Sequence, residues 1–475
     1  MTDESTLVSQ NLSVEETSLK YMLKLAGPMI VTTISFTIMQ FVDRFMVSRL
    51  GTAALAAVLP AGFVSFIPGA FVVGVFASVS TFVSQSLGRD EKKSCSSYCW
   101  QAIYMGLAYS GVVLAIMWPA APAIFKVLGH EPEVVGMEVV YFRIMLYANA
   151  VGVFVWSSSQ FFMGIHRPII AMYSAFCAQV VNVAANYILI FGKFGFPAMG
   201  IAGAGWGTFI GIAVGAGIRM AMFLSGDISS NFESRRTLKV DFARMSDLLK
   251  VGLPAGFELM LNVALWGVIL FWLVGKFGKE AQAATSAVLS CTSVSIMPIV
   301  GIKIALTAAV GKAIGGGRED VAIKQTNICL RLGLVYMGLV GLCFFVFRDA
   351  LMALWSSDDK VIGIGVNVLI CAAIYQVFHA ARTVYSGSLH GAGDTVWLAI
   401  ASALGAVMVL GVGGLLIVAF LPGLGSLGPW IAATFSIITV GLANRWRFKS
   451  NRWMEIDLFK RRLVGVPVKN EAVVE

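Results

Sequence analysis

The chain has 475 residues, of which 58% are hydrophobic and 13% are charged, and its formal net charge is +9. This composition excludes an ordinary soluble domain, because apolar runs of about 20 residues can span a bilayer as helices. The seven cysteines show no disulfide or zinc-ligand spacing, and the polar N-terminal residues do not resemble a cleavable signal peptide. We therefore predict an all-α integral membrane protein.

The apolar segments predict twelve transmembrane helices in chain order. The first six span about 21–48, 54–86, 95–118, 134–164, 168–191 and 200–224. The other six span about 247–275, 281–314, 326–347, 361–389, 395–420 and 428–446. Lysine and arginine concentrate in alternate loops and in the tail, so both termini are expected in the cytoplasm. The net charge then reflects topology and anionic membrane lipid, and no nucleic-acid partner is expected.

Three glycines recur 227 residues later, in the pairs Gly51 and Gly278, Gly88 and Gly315, and Gly164 and Gly391. Such a repeat predicts two pseudo-symmetric lobes of six helices, related by an axis along the membrane normal. The expected organisation is a cytoplasmic N-terminal tail (1–20), an N-lobe (21–225), a cytoplasmic linker (226–246), a C-lobe (247–446) and a basic cytoplasmic tail (447–475).

Catalytic and nucleotide-binding signatures are missing from the sequence. It contains no G-x-x-x-x-G-K-[ST] phosphate loop, no H-E-x-x-H pair and no nucleophile elbow in a helix. The protein is therefore expected to be no enzyme and to need no cofactor. A protein built from two copies of one membrane bundle is usually a transporter, and without an ATP site its energy comes from an ion gradient or from the substrate's own gradient.

Three ordered motifs resemble the multidrug and toxic compound extrusion (MATE) family. They are Phe-Val-Asp-Arg at 41–44 followed by Leu-Gly at 50–51, the segment from Asn182-x-x-x-Asn186 to Gly-Trp-Gly-Thr at 205–208, and residues 386–395, which resemble the family's loop after helix 10. The resemblance covers about residues 20 to 446. It implies a V of two six-helix lobes in the inner (plasma) membrane. It also implies export of organic, often cationic, drugs in exchange for Na⁺ or H⁺, usually by a monomer.

Asp43 is the leading candidate for the coupling residue, because an ionisable side chain inside the membrane is costly and is a functional candidate by default. Asn182 and Asn186 lie on one face of helix 5, and the resemblance maps them and Thr208 onto the family's N-lobe cation pocket. A structural alternative remains open for each part of this site. Asp43 could instead pair with Arg44 at the membrane surface, and the two amides could serve only to hold helices together by hydrogen bonds.

The second lobe departs from the family's pattern. Asn262 and His379 stand where drug-exporting relatives often carry carboxylates, while Glu258 and Tyr375 each lie one turn before them. These four residues define a candidate C-lobe cation site, with a histidine that titrates in the physiological range. The alternative is a buried neutral histidine that holds a hydrogen bond. Arg382, near the His379 face, disfavours a second positive charge there.

Lys303 is a further ionisable residue in predicted helix 8, where it is expected to pair with Glu258 or to extend to the membrane surface. A C-lobe interior containing Lys303 and Arg382 would repel a cationic drug, which favours an anionic, zwitterionic or neutral substrate. Two rival functions stay open. One is a flippase for a lipid-linked or amphipathic metabolite, and the other is a membrane receptor that transports nothing.

Overall fold

The computed structural model describes residues 16–127 and 131–459, and in these ranges all regular structure is helical. The first six long helices are α1 (Leu19–Ser48), α2 (Thr52–Gly88), α3 (Lys92–Val127), α4 (Pro132–Gly164), α5 (Pro168–Phe191) and α6 (Ile201–Phe223). The other six are α7 (Phe242–Gly275), α8 (Lys279–Gly315), α9 (Glu319–Val346), α10 (Asp359–Ala392), α11 (Thr395–Phe420) and α12 (Leu427–Lys449). Short helices span Gly226–Phe232 and Arg348–Ala353.

The helix bounds follow the apolar runs closely. Within the described residues, eleven helices are long and apolar enough to cross a membrane. Helix α3 continues to Val127 through Pro119 and Pro122, beyond the predicted end at about residue 118. Helix α7 begins at Phe242, since the Asp241 side chain caps it by accepting from the Arg244 amide. The predicted linker to residue 246 is therefore shorter, and residues 1–15 and 460–475 of the predicted tails lie outside the described ranges.

The helices form two lobes that meet along four of their members. In the first lobe α4 packs on α2, α3 and α6, and α5 packs on α6. In the second lobe α10 packs on α8, α9 and α12, while α11 packs on α7. Across the lobes α2 packs on α7, α1 packs on α8, and α2 packs on α8. The predicted fold of two six-helix lobes is confirmed.

Reciprocal glycine contacts relate the two lobes. A Cβ atom on Gly88 would lie 2.2 Å from the carbonyl oxygen of Lys312, and one on Gly315 would lie 2.1 Å from that of Gln85. Corresponding contacts occur within each lobe, where a Cβ atom on Gly164 would lie 2.6 Å from Val83 and one on Gly391 would lie 3.0 Å from Val310. The contacted residues repeat as the glycines do, since Gln85 and Lys312, and likewise Val83 and Val310, are 227 residues apart. The glycine repeat therefore marks positions where helices must approach closely.

We call the face that carries residue 16, the α2–α3 and α8–α9 turns and the end of α12 the basic face. Cross-lobe hydrogen bonds lie in the half of the bundle toward this face. Thr81 Oγ1 donates to the His390 carbonyl at 2.9 Å, and Gln85 Nε2 donates to the Gly391 carbonyl at 2.9 Å. Thr33 Oγ1 donates to the Met297 carbonyl at 3.0 Å, and both residues lie about halfway along their helices, α1 and α8. The lobes are therefore joined at the basic face.

The segment after α12 crosses from the second lobe to the first at the basic face. Phe459 is buried there, with its ring edge-on to Phe82 at 5.9 Å between centroids. The Arg89 guanidinium lies 4.1 Å from the Phe459 ring centroid and pairs with Asp457 at 3.2 Å. We call residues 457–459 the C-terminal strap, because they follow α12 in the chain and contact the end of α2.

The N-terminal residues make a matching contact with the second lobe. Glu16 pairs with Lys312 Nζ at 2.8 Å and with Arg318 Nη1 at 2.8 Å, at the turn between α8 and α9. His166, in the α4–α5 turn, donates from Nε2 to the Ala308 carbonyl at 3.1 Å and accepts from the Tyr21 hydroxyl at 2.8 Å. Residues at both ends of the described range thus tie the lobes together at the basic face.

Candidate functional site

The four predicted N-lobe residues form one connected polar cluster. Asn186 Nδ2 donates to Asp43 Oδ1 at 2.7 Å, which joins α5 to α1. The same amide nitrogen lies 3.4 Å from Asn182 Oδ1, and Asn182 Nδ2 lies 3.4 Å from Thr208 Oγ1 on α6. The i, i+4 spacing places both amides on one face of α5, and their hydrogen bonds show that this face lies between α1 and α6.

One oxygen of this cluster lacks a partner. Asn186 is fully buried, and its Oδ1 accepts no hydrogen bond from the described residues. A Cβ atom on Gly207 would lie 2.0 Å from this oxygen, so α6 approaches α5 too closely there for any larger residue. A buried acceptor without a donor calls for an explanation. Together with the half-buried Asp43 carboxylate, it offers oxygen atoms to a hard cation or a proton.

The alternative pairing of Asp43 with Arg44 is not formed among the described residues. Arg44 is exposed, whereas Asp43 accepts its hydrogen bond from a different helix. The two side chains diverge because adjacent helical residues point about 100° apart. The bond to Asn186 also holds α1 against α5, so a structural role for the amides and a role in cation binding are both compatible with these contacts.

The C-lobe cluster centres on Glu258 of α7. Its Oε1 accepts from Ser402 Oγ at 3.2 Å, and its Oε2 lies 3.4 Å from His390 Nε2. His390 Nδ1 donates to the Ser386 carbonyl at 2.9 Å. The sequence interpretation missed His390, because it ended the predicted helix at about residue 389, whereas α10 continues to Ala392. Ser402 gave no signal in the sequence.

The other predicted C-lobe residues divide between two environments. Arg382 Nη2 donates to Asn262 Oδ1 at 2.9 Å, and Asn262 Nδ2 donates to the Glu258 carbonyl at 2.9 Å. His379, in contrast, contacts Thr383 Oγ1 of its own helix at 3.2 Å. Tyr375 stacks on Trp430 of α12, with ring centroids 6.5 Å apart. The described contacts therefore bring Glu258 and Asn262 together but give Tyr375 and His379 other partners.

The predicted contact pair between Lys303 and Glu258 is wrong. Lys303 lies within electrostatic reach of Glu258 and Arg382, yet the ion pairs of the described residues include none with Lys303. The reason is the close approach of α10 to α8, where a Cβ atom on Gly387 would lie 3.1 Å from Lys303 Cγ. One turn further along α10, the His390 ring occupies the position next to the carboxylate.

Arg219 is a second buried cation that the sequence interpretation missed, and it differs from Lys303. Its Nε donates to Ser174 Oγ at 2.5 Å, while Nη1 and Nη2 donate to the carbonyls of Val155 and Ala171 at 3.1 and 3.0 Å. These bonds join α4, α5 and α6. Because every nitrogen of Arg219 has an acceptor, its role is to hold the first lobe together.

Comparison with known proteins identifies the family. A family model described as MatE matches residues 28–188 and 254–414, which together make up more than half of the chain. The chain belongs to the MATE family. The model matches once in each lobe, which agrees with the internal repeat of this MATE protein.

Curated relatives and solved structures agree with that assignment. The chain is 29% identical over 443 residues to a probable multidrug resistance protein NorM of Mesorhizobium japonicum, covering 89% of this chain and 92% of the relative. A second NorM, of Shewanella oneidensis, is 26% identical over 385 residues, covering 79% and 82%.

The fold is similar to an outward-facing multidrug resistance MATE transporter, with a TM-score of 0.84, 19% identity and coverage of 93% and 97%. It is also similar to the eukaryotic MATE transporter AtDTX14, with a TM-score of 0.83, 19% identity and coverage of 95% and 99%. The protein is therefore a multi-pass membrane transporter and not an enzyme.

Proposed function

We propose that this MATE transporter exports small organic compounds in exchange for Na⁺ or H⁺, and that Asp43 is its coupling residue. The observation that supports this is the N-lobe cluster, where a carboxylate and an unpartnered amide oxygen lie together inside the bundle. An intramembrane carboxylate is retained at a cost, which a coupling function explains. The NorM relatives are described as multidrug resistance proteins, which supports small organic substrates.

The orientation is part of the proposal. Lysine and arginine concentrate at the basic face, so by the positive-inside rule this face and both termini lie in the cytoplasm of a cell with the protein in its inner (plasma) membrane. The lobes are joined at that face, so the described state is the outward-facing one. The similarity to a MATE transporter described as outward-facing supports this assignment. We expect a monomer surrounded by membrane lipid.

Helix α1 connects the coupling residue to the lobe interface. Asp43 binds α5 through Asn186, and Thr33, earlier on the same helix, binds the Met297 carbonyl of the other lobe. A cation at Asp43 replaces or weakens the bond from Asn186, so α1 can repack against α8. Since the cation binds the two arrangements of α1 with different affinity, it shifts the equilibrium between outward-facing and inward-facing states.

The test is flux through the purified protein in liposomes under an imposed Na⁺ or H⁺ gradient. A panel of cationic, zwitterionic and anionic fluorescent compounds covers the open choice of substrate. We expect gradient-driven flux in the wild type and none in Asp43→Asn, while the matched change Asp320→Asn, at an exposed carboxylate on α9, leaves flux intact. Full activity in Asp43→Asn would contradict the proposal, and the gradient that drives flux identifies the ion.

A flippase for a lipid-linked or amphipathic metabolite is the second candidate, and the cationic side chains of the C-lobe favour it. Lys303 and Arg382 lie at membrane depth, where a lipid phosphate would meet them. If no dye of the panel moves, transfer of a fluorescent phospholipid or polyprenyl phosphate between leaflets would decide for this function.

A further inference from the structure

The C-lobe interior holds two basic side chains, Lys303 and Arg382, that form no ion pair among the described residues. Lys303 of α8 lies within electrostatic reach of one carboxylate, Glu258, and of Arg382. Glu258 also acts on Arg382. The histidines His379 and His390 lie within electrostatic reach of Lys303 as well. In the part of the chain that the structure describes, two basic side chains thus share one nearby acid inside the bundle.

That acid is already used by His390. Because a carbonyl oxygen only accepts, the bond from His390 Nδ1 to the Ser386 carbonyl fixes a proton on Nδ1. The other ring nitrogen, Nε2, lies 3.4 Å from Glu258 Oε2, and Ser402 Oγ donates to Glu258 Oε1. The ion pairs of the described residues include no contact between this carboxylate and Lys303 or Arg382. Both basic side chains are therefore left without a carboxylate in contact.

The donors of Arg382 are available for a ligand. A guanidinium has five N–H groups, and the described contacts give Arg382 one bond, from Nη2 to Asn262 Oδ1. This bond links the guanidinium, which belongs to α10, to α7 across the lobe interior. Lys303, Arg382 and Asn262 each keep part of their surface accessible, although they lie inside the long helices α8, α10 and α7. Arg219, by comparison, uses all three nitrogens within the first lobe.

We propose that Lys303 and Arg382 bind an anionic group of the exported compound, with Asn262 holding the guanidinium in place, so that the substrates are carboxylated, sulfonated or phosphorylated organic molecules, anionic or zwitterionic overall. A guanidinium matches the two oxygens of such a group, and an ammonium adds a point charge. The proposal rests on the proposed export function. It assigns the coupling cation and the substrate anion to different lobes, Asp43 in one and this pair in the other.

The chain offers a matched variant at Asn262. An aspartate there would pair with Arg382 at the position of the existing bond, with almost no change in volume, and would give the guanidinium a carboxylate partner within the protein. Asn262→Asp is therefore expected to weaken binding of an anionic group without removing any cation. Arg382→Gln and Lys303→Met remove the charges directly, and Arg382→Lys keeps the charge but loses the planar fork.

The experiment compares two dyes that differ by one methyl group. Rhodamine 110 has a free carboxylate, and rhodamine 123 is its methyl ester and a cation. Binding of each to the purified full-length protein in lipid nanodiscs is followed by fluorescence anisotropy without any ion gradient. We expect the acid to bind the wild type at least about tenfold more tightly than the ester. Arg382→Gln, Lys303→Met and Asn262→Asp should each reduce this ratio severalfold, with Arg382→Lys intermediate.

Equal binding of the two dyes, tighter binding of the ester, or no binding of the acid would overturn the proposal. A ratio that stays unchanged in Arg382→Gln and Asn262→Asp, with both variants folded by thermal unfolding, would overturn it as well. Asp43→Asn serves as the control, because it should abolish coupled flux and leave the dye ratio intact. A failure of coupling at Asp43 and a failure of anion binding in the C-lobe therefore give different results.

Discussion

The C-terminal strap gives a direct way to shift the equilibrium between the two states. Phe459 is 4% exposed and packs against the first lobe, although its segment belongs to the second. When the basic face opens, the end of α12 moves away from α2 and the ring is exposed. Burial of a phenylalanine side chain contributes about 1.5–3 kcal/mol. Phe459→Ala removes this stabilisation from the state with a closed basic face and leaves the open state unchanged. The ratio of closed to open protein should therefore fall about ten- to a hundredfold.

The assay is a distance measurement across the basic face. Spin labels on noncanonical residues at Lys93 of the first lobe and Lys324 of the second, both well exposed, report the separation of the lobes in nanodiscs. Phe459→Ala should increase the population with the longer distance. Phe194→Ala, which trims an 82% exposed ring at the opposite face, is the matched control and should leave the distribution unchanged. An unchanged distribution in Phe459→Ala would refute the assignment of the strap to the closed state.

Three further predictions concern the contacts between lobes and the N-lobe cluster. Burial, with the charge of Lys312 beside it, lowers the pKa of His166 from 6.5 to about 4. In the open state His166 is therefore protonated below pH 6.5, whereas in the closed state it stays neutral down to about pH 4. The closed population, measured with the same spin labels, should fall as the pH is lowered from 6.5 to about 4. A closed population that does not change over this range would contradict the prediction. Glu16→Gln removes the charge that pairs with Lys312 and Arg318, worth about 0.5–1 kcal/mol, and should lower the ratio of closed to open protein about two- to fivefold at pH 7; an equal ratio would show that these pairs contribute nothing. Gly207→Ala should cost about 1–3 kcal/mol in thermal unfolding and abolish coupling, because its Cβ would meet the amide oxygen of the N-lobe cluster, whereas Gly217→Ala on the same helix meets nothing within 4 Å and should be neutral.

Much of the fold could be predicted from the sequence, because apolar length alone defines transmembrane helices. The largest discrepancy is the end of α3, where the composition changes at Pro119 but the helix continues. For the N-lobe cluster, the spacing of Asn182 and Asn186 fixes a shared helix face. Their proximity to Asp43 and Thr208 was implied only by the resemblance to the family, because local spacing does not determine which helices pack together.

The C-lobe cluster could not be predicted in the same way, because its contacts depend on how closely helices approach. The sequence indicated Lys303 as the partner of Glu258, whereas the packing of the helices brings His390 next to the carboxylate. Ser402 is one of many serines in apolar helices, and only the packing of α11 on α7 brings it to the carboxylate. Distances across helices of this kind are set by tertiary structure.

The most direct test of the central claim is cation movement driven by substrate. Liposomes containing the purified protein are given a gradient of a transported compound and no ion gradient, and Na⁺ and H⁺ are followed with a sodium isotope and a pH dye. The account predicts that one of the two cations moves against the substrate flow in the wild type and that this movement is lost in Asp43→Asn. Substrate flux that moves neither cation, or cation movement that persists in Asp43→Asn, would contradict it.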